Sequence, residues 1–174
     1  RGKVMSYVYD DRDRLTKKRY FNSIAAYQGF PDSVPAETLK FSYDDVGNMV
    51  SMLDKNGTMS YSYDEMNGLD TLNYYQDMLV TYEYDRAGNR KKLKVVKASD
   101  TTTVYLEQIY QSYDEANRLK RTAVGTDTFA FTYWDTGPIK EIDYPNDVKE
   151  QYKLTSRNFI DVITDSSGNK TEET

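Results

Sequence analysis

The sequence predicts an all-β fold built from repeated β-hairpins, and three observations carry that prediction. A pattern Tyr-x-Tyr-Asp-x-x-Gly-Asn/Arg, complete in Tyr82-Glu83-Tyr84-Asp85-Arg86-Ala87-Gly88-Asn89, recurs from one end of the chain to the other. Its copies return at a period of 20 to 21 residues over long stretches, the second aromatic advancing from 43 to 63 to 84 and from 113 to 133 to 154. Between the copies β-branched and aromatic residues dominate, and no useful length carries an apolar 3.6-residue period. Self-similarity at such a period is the mark of a repeat architecture.

Each part of the pattern has a physical reason. Two aromatics two residues apart share one face of a pleated strand. Aspartate suits the first position of a type I turn because its carboxylate can accept from backbone N–H groups ahead of it. The glycine supplies a left-handed residue, and a type I turn followed by such a residue is a common hairpin closure.

The copies are Tyr7-Val8-Tyr9-Asp10, Phe41-Ser42-Tyr43-Asp44, Tyr61-Ser62-Tyr63-Asp64, Tyr82-Glu83-Tyr84-Asp85, Gln111-Ser112-Tyr113-Asp114, Phe131-Thr132-Tyr133-Trp134 and Tyr152-Lys153-Leu154-Thr155. The position of Gly88 is filled elsewhere by Asp13, Gly47, Asn67, Asn117, Gly137 and Asn158. Gly, Asn and Asp are the residues that tolerate the left-handed region. Asn67→Gly and Asn117→Gly are therefore expected to be neutral or mildly stabilising.

Taken in order, Arg1 to Ser6 read as an incoming strand feeding Tyr7 to Tyr9, and Asp10 to Asp13 form the first turn. The step from Tyr9 to Tyr43 is long, and Asn22 to Lys40, with Pro31 and Pro35, reads as an inserted loop. From Phe41 to Thr81 the repeat is regular: Asp44 to Gly47 turns, Met49 to Leu53 runs back, and Asp54-Lys55-Asn56-Gly57 turns again. Each unit is thus two strands and two turns. The longer step from Tyr84 to Tyr113 places a longer turn at Lys97 to Thr103. Trp134 stands where aspartate is expected and Asp135 follows it, which allows a turn shifted by one residue. Asp165-Ser166-Ser167-Gly168-Asn169 reads as a last turn. Seven hairpins make roughly fourteen strands, on the order of 65 Å at about 4.8 Å each. Twisted open sheets rarely exceed about ten strands without curling, so the ribbon is expected to bend into a spiral or the wall of a shell.

Composition narrows the function. The 174 residues include 17 tyrosines, large apolar faces with polar tips, which suit sheets that are only partly buried. A net charge of -5 argues against a nucleic-acid partner, which needs a basic footprint. With no Cys and no His there are no disulfides, no imidazole-assisted nucleophile and none of the usual zinc sets. No apolar run is long enough to span a bilayer. The chain begins in what reads as the tail of an earlier repeat, as an excerpt of a longer protein would.

Some features admit two readings. The pairs Asp10-Asp11 and Asp44-Asp45 could act as glycosidase carboxylates, but each contains a turn aspartate. Fragments such as Asp54-Lys55-Asn56-Gly57 have the look of calcium loops without the remaining ligands. The tyrosines could pack through the side chains of the intervening strand or bind sugar rings. Arg90-Lys91-Lys92-Leu93-Lys94 suits a solvated strand face or an anionic-glycan patch. Asn56-Gly57-Thr58 and Asn169-Lys170-Thr171 are glycosylation sequons that matter only in a eukaryotic secretory host.

The repeated units, with their intervening Asp-x-x-Gly turn, resemble the YD repeats of the RHS family, which includes bacterial polymorphic toxins, cocoon components of insecticidal toxin complexes, and teneurins. The resemblance covers the chain outside 22–40. Asp13, Asn67, Asn117 and Asn158 depart from the family's glycine, and Trp134 and Thr155 from its aspartate. The family's self-cleaving Asp-Pro-x-Gly core motif has no counterpart in these residues. The resemblance implies one repeat array over 1–174 with no separate second domain, forming part of a spiral β-shell. It implies a secreted or surface-exposed bacterial protein in which this non-catalytic segment, with no cofactor, joins further repeats around a C-terminal toxin. A cell-surface adhesion module with a glycan or protein partner is the alternative.

Overall fold

The turns set the strand lengths. The computed structural model describes residues 2–30, 34–166 and 170–173. Among them run β1 (Val4–Tyr9), β2 (Leu15–Phe21), α1 (Ile24–Gln28), β3 (Glu37–Tyr43), β4 (Met49–Leu53), β5 (Thr58–Tyr63), β6 (Leu69–Tyr74), β7 (Met78–Tyr84) and β8 (Arg90–Lys97). They are followed by β9 (Asp100–Tyr113), β10 (Leu119–Val124), β11 (Asp127–Tyr133), β12 (Ile139–Asp143), β13 (Lys149–Leu154), β14 (Ile160–Asp165) and β15 (Lys170–Glu173). Sheet order is chain order, with antiparallel pairing between successive strands. The fold is all-β, with α1 as a five-residue exception.

Three sequence expectations need correction. The segment Asn22 to Lys40 is not wholly loop: it holds α1, and Glu37 to Lys40 already belong to β3. Ser23 caps the helix, its Oγ accepting from the Ala26 N–H at 3.1 Å. Lys97 to Thr103 is not a long turn. Only Ala98 and Ser99 separate β8 from β9, and the extra residues lengthen the strands, β9 reaching 14 residues. The turn at Trp134 is not shifted: Gly137 keeps the left-handed position at φ 113°. Of the expected last turn, 167–169 lie outside the described residues, as do Arg1, Pro31 and Asn169 of the second sequon.

The chain divides into two compact units, Arg1–Thr81 with Val95–Val104, and Tyr82–Lys94 with Tyr105–Thr174. Within the first, alternation gives the sheet two unlike faces. Phe41 lies opposite Met52 and Met52 opposite Met59, and Tyr61 opposite Leu72 and Leu72 opposite Val80, so one face is aromatic and aliphatic. The other carries Ser51 opposite Ser60 and Ser62 opposite Thr71, with Ser42 and Ser51 hydroxyls 2.6 Å apart.

Within the second unit the same division holds. Phe131 lies opposite Ile142, and Tyr152 opposite Ile163. The reverse face pairs Thr132 with Glu141 and Asp143 with Lys149, whose Nζ stands 2.9 Å from Asp143 Oδ1 and 3.2 Å from Glu141 Oε1.

Packing between elements joins strands adjacent in the chain, and α1 to β2. Burial is accordingly shallow, and among the described residues only Phe21, Val96, Thr122 and Ala123 are buried. Phe21 is the most enclosed, its ring centre 5.4 and 6.0 Å from those of Tyr27 and Phe30 in T-shaped contacts.

Candidate functional site: the row of aspartate turns

The residues that the repeat marks out meet at the hairpin turns. In the turn Asp85 to Asn89 the Gly88 N–H donates to Asp85 O at 3.0 Å and the Asp85 N–H to Asn89 O at 2.8 Å. The same two backbone bonds close Asp10 to Arg14, Asp44 to Asn48, Asp64 to Gly68, Asp114 to Arg118, Trp134 to Pro138 and Thr155 to Phe159. The fourth residue is left-handed each time, with φ of 58° at Asp13, 106° at Gly47, 61° at Asn67, 82° at Gly88, 58° at Asn117, 113° at Gly137 and 63° at Asn158. A left-handed residue here is the first residue of a bulge. The register accordingly shifts just before Tyr9, Tyr43, Tyr63, Tyr133 and Leu154.

The aspartate closes the turn from inside. Asp85 Oδ1 accepts from the Ala87 and Asn89 N–H groups at 2.9 and 2.8 Å, and its Oδ2 from Asn89 Nδ2 at 3.1 Å. Asp114 Oδ1 accepts from Ala116 and Arg118, and Asp10 Oδ1 from Arg12 and Arg14. Their Oδ2 atoms take the Arg118 and Arg14 Nε–H at 2.7 and 2.8 Å. Asp44 is held likewise by Gly47 and Asn48, and Asp64 by Met66 and Gly68. At Thr155 the hydroxyl oxygen takes over, accepting from Arg157 and Phe159 at 3.3 and 3.2 Å.

In four of the turns the fifth residue fastens one turn to the next. Arg14 Nη1 donates to Asp44 O at 2.9 Å, and Asn48 Nδ2 to Asn67 Oδ1 at 3.0 Å. In the second unit Asn89 Nδ2 donates to Asn117 Oδ1 at 3.0 Å and Arg118 Nη1 to Trp134 O at 3.1 Å. The asparagines at 67 and 117 thus supply an acceptor that glycine lacks. Asn→Gly there forfeits a hydrogen bond, which offsets the relief of left-handed strain on which the expected neutrality rested.

The second tyrosine of the motif is a bracket as well. Tyr43 donates its hydroxyl to Leu15 O at 2.9 Å, Tyr63 to Met49 O at 2.9 Å, Tyr113 to Arg90 O at 2.6 Å and Tyr133 to Leu119 O at 2.7 Å. Each reaches the first residue of the preceding strand. Burial raises the pKa of Tyr63, Tyr113 and Tyr133. Arg14 lies over the Tyr43 ring at 4.9 Å and Arg118 over Tyr133 at 4.5 Å. The first aromatics lie on the sheet: Phe41, Tyr61, Phe131 and Tyr152 on the apolar faces, Tyr7 near Lys18, and Tyr82 under Arg90 at 5.2 Å.

The basic run is divided between strand partners. Arg90 also covers Tyr110 and donates to its hydroxyl at 3.2 Å, and Lys92 pairs with Glu107 at 2.6 Å. The turn Tyr144 to Val148, with Asp147 at φ 61°, repeats the same closure outside the register of the motif, and sequence reading missed it. Pro145 followed by Asn146 and Asp147 was the available signal. Nearby, Tyr144 donates to Glu150 Oε2 at 2.6 Å, and that bond, helped by burial, pushes the Tyr144 pKa up to about 12.

Hydrogen bonds hold several turn aspartates below their ordinary pKa. At Asp10 and Asp114 the backbone bonds from Arg14 and Arg118 lead, at Asp54 the backbone bond from Asn56, and at Asp85 the Asn89 side chain. Groups depressed in the folded state contribute stability that is present above their unfolded pKa, about 3.9, and is lost as pH falls through the folded value. The melting temperature is expected to hold from pH 7 to about pH 5 and then to fall towards pH 2. Asp85→Asn combined with Asp114→Asn should flatten that fall, and an identical acid profile in the double variant would refute the role of these carboxylates.

No protein-family model matches the sequence, and no curated protein matches it. Solved structures do match in fold. A crystal structure described as TcdB2-TccC3-Cdc42 aligns with 99% of this chain at a TM-score of 0.73 and 14% identity. A second, of TcdB2-TccC3 without its hypervariable C-terminal region, aligns with 98% at a TM-score of 0.53 and 14% identity. The chain spans only 9% and 12% of the length of those two chains. Repeated hairpins closed by aspartate turns, aligned along nearly all their length with these structures, give the chain an RHS/YD-repeat-like fold.

Proposed function

We propose that the chain is a non-catalytic structural segment of a secreted or surface-exposed bacterial RHS/YD-repeat protein. In this reading 1–174 form one repeat array, a stretch of a β-shell that encloses a C-terminal toxin or effector domain. Its partners are the neighbouring repeats and the enclosed domain.

The observation that carries the reading is where the polar chemistry of the chain is spent. The turn aspartates Asp10, Asp44, Asp85 and Asp114, the first two of which belong to the candidate carboxylate pairs, each accept bonds from their own turn. Fifth-residue side chains and tyrosine hydroxyls are spent on adjacent turns and strands. Such a ribbon is a wall. A wall isolates cargo by excluding other molecules and needs no high-affinity pocket.

The test is protease protection in the full-length protein. The C-terminal domain is expected to resist added protease while the repeats are intact, and to become cleavable when Asp85→Ala and Asp114→Ala open the turns. An unprotected C-terminus in the unmodified protein, with tight glycan binding by this segment that is lost on alanine substitution of Arg90 to Lys94 or of Tyr82 and Tyr84, would establish adhesion instead.

A further inference from the structure

The sixth and seventh turns depart from the aspartate of the motif, yet keep the backbone closure. Trp134 and Thr155 replace the aspartate, and Pro138 stands at the fifth position, from which Arg14, Asn48, Asn89 and Arg118 each reach a neighbouring turn. Proline has no N–H to give the turn and no side-chain donor to cross with. Beside these turns lies a hollow of about 520 Å3 lined by Trp134, Thr136, Lys153, Leu154, Asn158 and Asp161. Its volume falls in the range of small-ligand sites, about 300–1,000 Å3.

In a repeat, residues that serve the fold recur. Those that occur once, at positions where the fold favours another residue, mark places where local consistency has been given up, and such places tend to be functional. Trp134 is the only tryptophan of the chain. Its indole is half-buried and held in place: Nε1–H donates to Tyr152 O at 3.2 Å, and Lys140 Nζ stands over the ring at 5.0 Å. Around it Thr136, Lys153, Asn158 and Asp161 are exposed. A hydroxyl and an amide supply both donors and acceptors. One lysine and one aspartate give the rim no net charge.

We propose that this hollow is a binding site for a neutral hexopyranose. A pyranose has an apolar C–H face that fits against a fixed aromatic ring, and hydroxyls at its edge that need donors and acceptors together. A net charge on the ligand gains at one of Lys153 and Asp161 what it loses at the other, so the rim selects for neither sign. Leu154 extends the apolar floor beside the indole. The proposal is independent of the shell reading, since a wall can carry such a site on its surface or lack one without changing as a wall.

The single tryptophan makes the test specific, because all indole emission reports this hollow. The chain is titrated with methyl glucopyranoside, methyl galactopyranoside and methyl N-acetylglucosaminide, with glucuronate and glucosamine as charged controls, by emission and in parallel by saturation-transfer NMR on the sugar. At least one neutral glycoside is expected to bind saturably with a Kd of about 1 mM. Thr136→Val and Asn158→Gly, the second of which preserves the left-handed turn, should weaken it about tenfold or more with an unchanged melting temperature. Absence of saturable binding by both readouts would overturn the proposal. Binding that ignores both substitutions, or that favours a charged sugar, would overturn it equally.

Discussion

Replacing Phe21 by alanine is expected to destabilise the chain by about 3 kcal/mol or more. Phe21 is only 2% exposed, and few side chains among the described residues are enclosed. It ends β2 opposite Val4, and the rings of Tyr27 and Phe30 from the insertion meet it in T-shaped contacts. Deleting the ring removes its transfer free energy and leaves a void between β2 and α1. A five-residue helix cannot sustain itself in water, so α1 depends on this contact. Urea unfolding should show the loss, and limited proteolysis should cut the segment 22–36 in the variant first. Phe21→Leu should retain much of the stability. Unchanged urea midpoint and unchanged cleavage in Phe21→Ala would sink the assignment of this contact as the anchor of the insertion.

Gly57→Ala is expected to cost about 2–3 kcal/mol, more than Gly88→Val in the aspartate turn. Two penalties coincide there. Gly57 has φ +148°, a region that side chains rarely enter, and a Cβ added to it would stand 2.7 Å from Tyr75 Cβ and 3.1 Å from its Cγ. The obstacle is the root of a side chain, which cannot swing away without moving backbone. Tyr75 is itself stacked on Tyr74, the ring centres 4.2 Å apart and the hydroxyls bonded at 2.9 Å. Gly88 carries the backbone penalty alone: its φ is +82° and an added Cβ meets nothing within 4 Å. Gly88→Val should therefore cost about 1 to 2 kcal/mol. Gly88→Asn should cost much less, since asparagine already occupies the equivalent position at 67, 117 and 158. Melting temperatures of the three variants rank these effects. Equal losses for Gly88→Val and Gly88→Asn would refute the left-handed assignment, and a harmless Gly57→Ala would refute the clash.

The sequence was most informative where one residue type has one physical reason to be present. Asp85 and Gly88 could be read because a tight turn tolerates few alternatives, and repetition turned a weak local signal into a period. Pairing of strands followed from that period, as in β4, whose Met49 to Leu53 span was legible between two turns. Less could be read where several residues satisfy the same need. Nothing in Tyr43 or Tyr133 announces that its hydroxyl reaches back to Leu15 or Leu119, because a tyrosine beside a turn can equally point its tip at water. The fifth-residue bonds, such as Asn89 to Asn117, depend on how neighbouring turns line up and are invisible in either turn alone. In the insertion, a helix of one turn leaves too short an apolar pattern to detect. The extra residues between Tyr84 and Tyr113 were misplaced into a turn because longer strands and a longer loop give the same count.

That sheet order follows chain order has a consequence for synthesis. A ribosome delivers roughly 5–20 residues per second, so each hairpin unit emerges in about 1 to 4 s, whereas hairpins close in microseconds. A strand leaving the exit tunnel finds its partner already waiting as the edge formed just before it. The order of assembly is then the order of translation. The newest strand is always the open edge, and the template that would recruit a foreign strand in a finished protein is, during growth, the seat for the next one.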